Sequence, residues 1–299
     1  MTKYILMVFA GACSFGILST FVKLANREGY NAAEISASQA FIGMLVLWLW
    51  VFIRTKKQQA PLTLGIIKTS WWQVLLTGAA IGLTTFLYYV SVRYIPASIA
   101  IILLMQFTWM GILLDRLLFN KKADAIQMIT IAIILTGTVM ASGMNHIQID
   151  EPFIKGALYA LASAFFYALY VVANSRYGNA LPAPQKSALI MTGSTLGILI
   201  VNVQQLSVSH HFDAGLIKWA VFLAVFGTII PPVLFAKGIP KIGAGISAII
   251  MTAELPVAIC CAHLILGEKI SAVQWAGIII MLFAIVWMNV RKNKTGLLT

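Results

Sequence analysis

Two stretches of the 299-residue chain read alike: Ile95–Lys122, IPASIAIILLMQFTWMGILLDRLLFNKK, and Gly243–Ile270, GAGISAIIMTAELPVAICCAHLILGEKI. They align without a gap at an offset of 148 residues. Beyond them AIQMITIAIIL from Ala125 parallels AVQWAGIIIML from Ala272, with a connection one residue shorter. Each stretch opens on a long run almost free of charge, and a helix needs roughly 20 such residues to cross a hydrocarbon core about 30 Å thick. An apolar crossing that recurs at half the chain length marks an internally duplicated membrane protein.

The rest of the chain fits that frame. It is 60% apolar and 10% charged, with a mean hydropathy of +0.91, more apolar surface than a water-soluble fold can hide. Ten runs of spanning length stand between charged breaks: Tyr4–Val22, Glu34–Ile53, Trp72–Val92, Pro96–Phe119, Ile126–Met144, Ile154–Asn174, Ser187–Gln205, Ile217–Ala236, Gly243–Leu266 and Ala272–Val290. Between them there is no room for a soluble catalytic domain or a nucleic-acid-binding module. The expected fold is an all-α membrane protein of about ten transmembrane helices. Five runs per half is an odd number, so the second copy enters the membrane from the opposite side, as an inverted repeat. The division falls near His146–Pro152, giving halves 1–148 and 149–299.

The net charge of +12 comes from 21 Lys and Arg against 9 Asp and Glu. With a cytoplasmic N-terminus, Lys23, Arg27, Arg93, Lys155, Lys218 and Lys269 fall outside and the other fifteen cations inside. Cytoplasmic loops carry such an excess, so the charge reads as topology and anionic-lipid contact rather than as a nucleic-acid surface, and both termini are expected in the cytoplasm. Cys13, Cys260 and Cys261 lie within apolar runs and form neither a disulfide framework nor zinc spacing. Lys3 followed by YILMVFAGAC is like a lipoprotein signal ending at Cys13, but the apolar run continues through FGILSTFV as a spanning helix would. His210, His211 and Asp213 share the longest external loop without a further ligand cluster, so no metal and no cofactor are expected.

Four features carry a family resemblance: ACSFGILSTFVK at Ala12–Lys23, YIPASIAIIL at Tyr94–Leu103, ELPVAICCAHLILGEK at Glu254–Lys269, and AVQWAGIIIMLFAIV from Ala272. The pattern resembles the EamA family of the drug/metabolite transporter superfamily, with its duplicated five-helix unit. The first half departs from it in having Gln106-Phe107-Thr108 where many relatives repeat a Glu-Pro pair, and Phe15 rather than tryptophan before Gly16. The resemblance implies a secondary carrier in the bacterial plasma (inner) membrane. Its two halves would alternate access to a central cavity and export small organic metabolites.

Glu254 stands out among the charged residues, about eleven positions into its run and close to the bilayer centre. An ionisable group there costs several kcal/mol unless it faces a cavity or a partner. At the 148-residue offset its counterpart is Gln106, and the pair marks a candidate midplane site; a buried hydrogen bond gluing the halves together is the structural alternative. Pro256, and Pro231 with Pro232, remove backbone donors inside their helices, as broken helices lining a site or as packing kinks. Ser163, Tyr167, Tyr170 and Asn174 follow i, i+4, i+7, i+11 and form one polar-aromatic face. Thr77, Thr84, Tyr88 and Ser91 form another, and Trp109 lies one turn from Gln106. Such aromatics suit organic substrates, cationic ones included, although each can equally be packing. Ala160, Ala164 and Ala168, Gly193 and Gly197, and Gly78 and Gly82 recur every four positions and let helices approach closely.

Without a Walker sequence, the energy for transport comes from a gradient of the substrate or of protons exchanged at Glu254. The chain should not be an enzyme. HExxH and GxSG are absent and His263 is the sole histidine in a run, which leaves a membrane-embedded lipid-modifying transferase or intramembrane protease without acid–base or metal groups. A non-transporting receptor or scaffold needs no motif and stays open. The expected partners are a small metabolite, the lipid bilayer, protons, and a second copy of the chain in a homodimer. The cation asymmetry makes a direct prediction for single cysteines in a cysteine-free background. Position 211 should react with an impermeant maleimide outside intact cells while positions 57 and 292 stay protected, and the reverse pattern would invert the topology.

Overall fold

Ten helices follow one another in a computed structural model that describes residues 2–58, 71–120, 124–141, 150–208, 213–267 and 270–294. They are α1 (Thr2–Arg27), α2 (Ala32–Gln58), α3 (Trp71–Tyr94), α4 (Ala97–Leu104 and Phe107–Phe119), α5 (Ala125–Ala141), α6 (Glu151–Arg176), α7 (Ala183–Val208), α8 (Ala214–Ile242), α9 (Ala244–Met251 and Glu254–Leu266) and α10 (Ala272–Lys294). Eight are long and apolar enough to cross a membrane; α5 and the apolar part of α10, Ala272–Trp287, are shorter. There is no strand among the described residues. Met144, His146, His210, His211, Glu268, Lys269 and the side chains of Lys57 and Lys292 lie outside the described residues.

Helix starts are set by short polar side chains. Asn31 and Glu34 cap α2 reciprocally, Asn31 Oδ1 accepting from Glu34 N at 2.9 Å and Glu34 Oε2 from Asn31 N at 2.8 Å. Asp150 accepts from Phe153 N to begin α6, with Pro152 in the first turn where its missing N–H costs nothing. Asp213 begins α8 by accepting from Leu216 N. That bond and one from Tyr30 hold its carboxyl below the usual carboxylate range, while donating to Asp213 pushes the Tyr30 hydroxyl up.

Helix α3 packs between α6 and α7, α2 lies on α7, and α1 lies along α8 and α9. Helices α5 and α10 pair with each other at the periphery, Gln274 Nε2 donating to Ala141 O at 3.2 Å. The glycines expected to be architectural are so: a Cβ on Gly78 would strike the Ile190 carbonyl, and one on Gly193 would strike that of Leu75. Large apolar side chains such as Phe52, Ile200, Leu264 and Phe283 stay exposed, a surface suited to lipid.

Helices α4 and α9 are both interrupted mid-span. Met105-Gln106 and Thr252-Ala253 turn at nearly identical dihedrals (Gln106 φ −59°, ψ −17°; Ala253 φ −59°, ψ −16°). Pro256 sits in the first turn of the segment after the break in α9, whereas α4 breaks without any proline. A Pro256 kink therefore does not account for both; the interruption belongs to the repeated fold. The first segment of each helix touches the second segment of the other, an arrangement that exchanging the two helices leaves unchanged, as a two-fold axis in the membrane plane requires.

These breaks correct the sequence register. Pro96 and Gly243 precede the two helices, Asn120 (φ 52°) and Gly267 (φ 70°) end them in the left-handed conformation, and Gln127 and Gln274 cap the following helices through Asp124 N and Ser271 N. All these pairs are 147 residues apart, not 148, and the shift also removes the one-residue gap before α5. The gapless alignment matched apolar character, which one residue of slip barely changes, whereas helix ends depend on backbone conformation. The counterpart of Glu254 is thus Phe107, not Gln106.

Helix α8 is irregular where sequence reading placed Pro231 and Pro232. Residues Ala224–Ile229 form a π-helical turn ahead of the prolines, and Ser14 Oγ donates to Phe226 O at 2.6 Å and Ser187 Oγ to Pro232 O at 3.0 Å. In lipid such bonds replace the water that would otherwise satisfy a disturbed backbone. Because Gly193 meets backbone rather than a movable side chain, Gly193→Leu should destabilise the protein by about 3 kcal/mol or abolish folding. Gly29→Ala, in open space at φ 98°, should cost about 1 kcal/mol, and thermal unfolding in detergent compares the two.

Candidate functional site

The break in α9 makes Glu254 the first residue of a helical segment whose N-terminus lies inside the protein. A carboxylate is electrostatically favoured at that end of a helix, and this one is 5% exposed. Gly16 brings α1 against the break, since a Cβ there would come within 2.5 Å of Glu254 O. Tyr167 Oη donates to Glu254 Oε2 at 3.3 Å, the one polar partner of this carboxylate among the described residues.

Aromatic rings enclose it. Tyr167 packs on Phe107 at 4.4 Å between centroids and edge-on to Phe15 at 6.3 Å, and Phe15 in turn meets Phe235 at 5.5 Å. Tyr88, Tyr89, Thr84 and Leu104 complete a cavity of about 30 Å³ in front of Glu254, room for about two waters. Tyr89 is fixed by donating to Gln39 Oε1 at 2.9 Å, while the buried Tyr88 hydroxyl has no aligned partner among the described residues. A buried acid, tyrosine hydroxyls and aromatic faces are chemistry that attracts a small cation or hydrogen-bond donor.

The expected site residues divide. Glu254, Tyr167 and Tyr88 converge on this cavity. Ser163 does not: its Oγ donates to Thr84 O at 2.8 Å and ties α6 to α3. Tyr170 and Asn174 continue down α6, stacked on Tyr167 at 6.3 Å and bonded to each other at 3.2 Å. Gln106 and Trp109 are turned away, Trp109 Nε1 donating to Gln106 Oε1 at 2.8 Å with Trp109 40% exposed. The pairing of Gln106 with Glu254 is thereby overturned, because the true register turns Gln106 about 100° around its helix from the position that matches Glu254.

Phe15, Tyr89 and Leu104, which line the cavity, and Phe107 and Phe235, which back its rings, were not legible as site residues, since nothing local separates a cavity-facing ring from a packed one. Lys186, one of the fifteen cations that the charge bias assigns to the cytoplasmic side, is 1% exposed in the first turn of α7. Its Nζ donates to Asn174 O at 2.7 Å and Asn179 Oδ1 at 2.9 Å, and so neutralises the end of α6. Nearby Arg176 pairs with Asp115 at 2.8 Å and lies over the Phe119 ring. A larger cavity of about 270 Å³ opens at this end of the bundle between α3, α4 and α6, lined by Trp72, Thr77, Phe119, Val172 and Tyr177 among others. No group of three or more His, Cys, Asp or Glu able to hold a metal occurs among the described residues.

A helical integral membrane protein with two related halves and a buried carboxylate beside a small, aromatic-lined cavity has the form of a small-molecule carrier. The chain belongs to the EamA-like transporter family, which matches residues 2–143 and 154–290, and it is a transporter rather than an enzyme. It is 23% identical over 300 residues to the uncharacterised transporter YcbK of Bacillus subtilis, covering 97% of this chain and 94% of that protein. It is 22% identical over 250 residues to the threonine/homoserine exporter RhtA of Escherichia coli (strain K12), covering 82% and 77%. A solved crystal structure superposes with a TM-score of 0.72 at 13% identity, over 96% of this chain and 98% of that one, a likeness of fold alone.

The divided site predicts divided sensitivity. Tyr167→Phe removes a hydrogen bond to a carboxylate, worth about 1.5–3 kcal/mol and so roughly tenfold or more in transport rate. Gln106→Ala and Trp109→Leu should stay within about twofold of wild type by the same flux measurement, since they alter a surface pair.

Proposed function

We propose that this chain exports small amine-bearing metabolites from the cell by alternating access between residues 1–148 and 149–299, with Glu254 as the binding and coupling residue. The observation that carries this is the buried carboxylate whose one polar partner among the described residues is a tyrosine. In an apolar enclosure the charged carboxylate is costly by several kcal/mol, and either a proton or an ammonium group relieves that cost. The cavity, about 30 Å³, is the size of such a head group, and the surrounding tyrosine and phenylalanine faces attract cations.

One site that takes a proton or an ammonium, but not both, couples the two: a proton entering from one face discharges the substrate, and the substrate displaces the proton on the other. Relatives named for threonine and homoserine export handle ammonium-bearing solutes, which agrees with this reading. The working location is the bacterial plasma membrane, with both termini in the cytoplasm.

Glu254→Gln keeps the size and part of the hydrogen bonding of the side chain and removes its titration. Purified Glu254→Gln protein in liposomes should fold as the wild type does yet lose at least about tenfold of the flux driven by an imposed pH gradient, with L-threonine and L-homoserine as first probes. Flux that responds to the gradient as in the wild type would remove Glu254 as the coupling residue. The matching hydroxy acids, which lack the amine, should not compete.

A further inference from the structure

At the end of the bundle that carries Asp213, two side-chain hydrogen bonds join segments far apart in the sequence. Trp219 Nε1, on the first segment of α8, donates to Glu28 Oε2 at 2.6 Å, and Tyr30 Oη donates to Asp213 Oδ1 at 2.8 Å. Glu28 and Tyr30 lie in the turn between α1 and α2, and Gly215 leaves the space that the Tyr30 hydroxyl occupies. Behind the clasp, Phe21 packs on Phe222 at 4.2 Å and on Trp219 at 6.4 Å, and Phe222 on Phe226 at 4.9 Å. This plug sits one turn beyond Leu18, which lines the Glu254 cavity.

The clasped segment, Ala214–Leu223, ends at the π-helical turn Ala224–Ile229, with Pro231 and Pro232 immediately after it. A π turn followed by two residues without N–H donors interrupts the regular ladder of helix hydrogen bonds, and helices bend at such places. Helix α2 packs along one flank of the segment, which leaves movement away from α1 as the open direction. The other end of the bundle is not closed in this way, since the 270 Å³ cavity lies there between α3, α4 and α6. Thr77 of that cavity and Thr84 and Tyr88 of the Glu254 cavity follow one face of α3.

We propose that residues Ala214–Leu223 of α8 are the gate at the Asp213 face of the transport path, latched by the Trp219–Glu28 and Tyr30–Asp213 hydrogen bonds and swinging on the π-helical turn before Pro231. The gate rests on the alternating-access reading for its use, but its motion can be measured without any substrate.

The reporter is Thr85→Cys, a wall position of the Glu254 cavity, in full-length protein with Cys13, Cys260 and Cys261 changed to alanine and reconstituted in oriented liposomes. Tyr30→Phe with Trp219→Phe removes both latch donors and keeps an aromatic ring at each position. The rate at which Thr85→Cys reacts with an impermeant maleimide added at the Asp213 face should then rise by about tenfold, as two ordinary hydrogen bonds allow. A short bismaleimide joining Tyr30→Cys to Asp213→Cys should instead suppress that reaction, which keeps the test decisive if the double phenylalanine variant folds poorly. Unchanged labelling in the unlatched protein, or undiminished labelling in the cross-linked one, overturns the gate. A second reporter, Thr77→Cys in the opposite cavity, separates the two readings. If unlatching speeds Thr85→Cys and slows Thr77→Cys, gate and alternation both stand; if it speeds Thr85→Cys and leaves Thr77→Cys as before, the gate stands and alternating access fails.

Discussion

A carboxylate in the middle of a hydrocarbon layer has neither water nor headgroup within reach, so the protein itself must supply everything around it. Much of the interior follows from housing Glu254. Helix α9 breaks just before it, which offers the carboxylate a helix N-terminus. Helix α1 meets the break through Gly16, and α6 sends Tyr167 across as the bonded partner. Phe15, Tyr88 and Tyr89 line the small cavity in front of it, and Phe107 backs Tyr167.

The duplication makes this enclosure inexpensive to build and also makes it asymmetric. Helices α4 and α9 share their break and their ends, so the backbone framework of the site is made twice. Chemistry is placed once: where α9 carries Glu254, α4 carries Phe107, which packs against the same tyrosine that bonds the acid. A second acid at position 107 would put like charges close together in a medium of low dielectric, where their repulsion is strong. One half supplies the charge and the other supplies its wall.

Irregular backbone is concentrated where movement is useful. The π-helical turn and paired prolines of α8 and the mid-span breaks of α4 and α9 lie within protein, and Ser14 and Ser187 donate to carbonyls of α8 in its irregular region. Tight helix contacts lie between α3 and α7 at Gly78 and Gly193, where backbone meets backbone, and also at the irregular positions, where Gly16 meets the Glu254 carbonyl and Gly43 meets Thr228. Rigid pairs flanking interrupted helices are the mechanical arrangement that a rocking or gating motion needs.

The sequence by itself determined the membrane class, the ten helices and the duplication, and it singled out Glu254 as a charge that must be buried in protein, because each follows from hydropathy, length and the cost of charge in lipid. Reading Tyr167 and Tyr88 as facing the interior required only helical periodicity. The exact register of the repeat, the exclusion of Gln106 and Trp109 from the cavity, and the aromatic lining of Phe15 and Tyr89 backed by Phe107 and Phe235 were decided by the tertiary structure. In a chain this apolar most positions can face lipid or protein equally well, and a slip of one residue turns a side chain about 100° around its helix. Which of two neighbours points at the acid is therefore fixed by how the helices end and meet, as Asn120 and Gly267 fix it here.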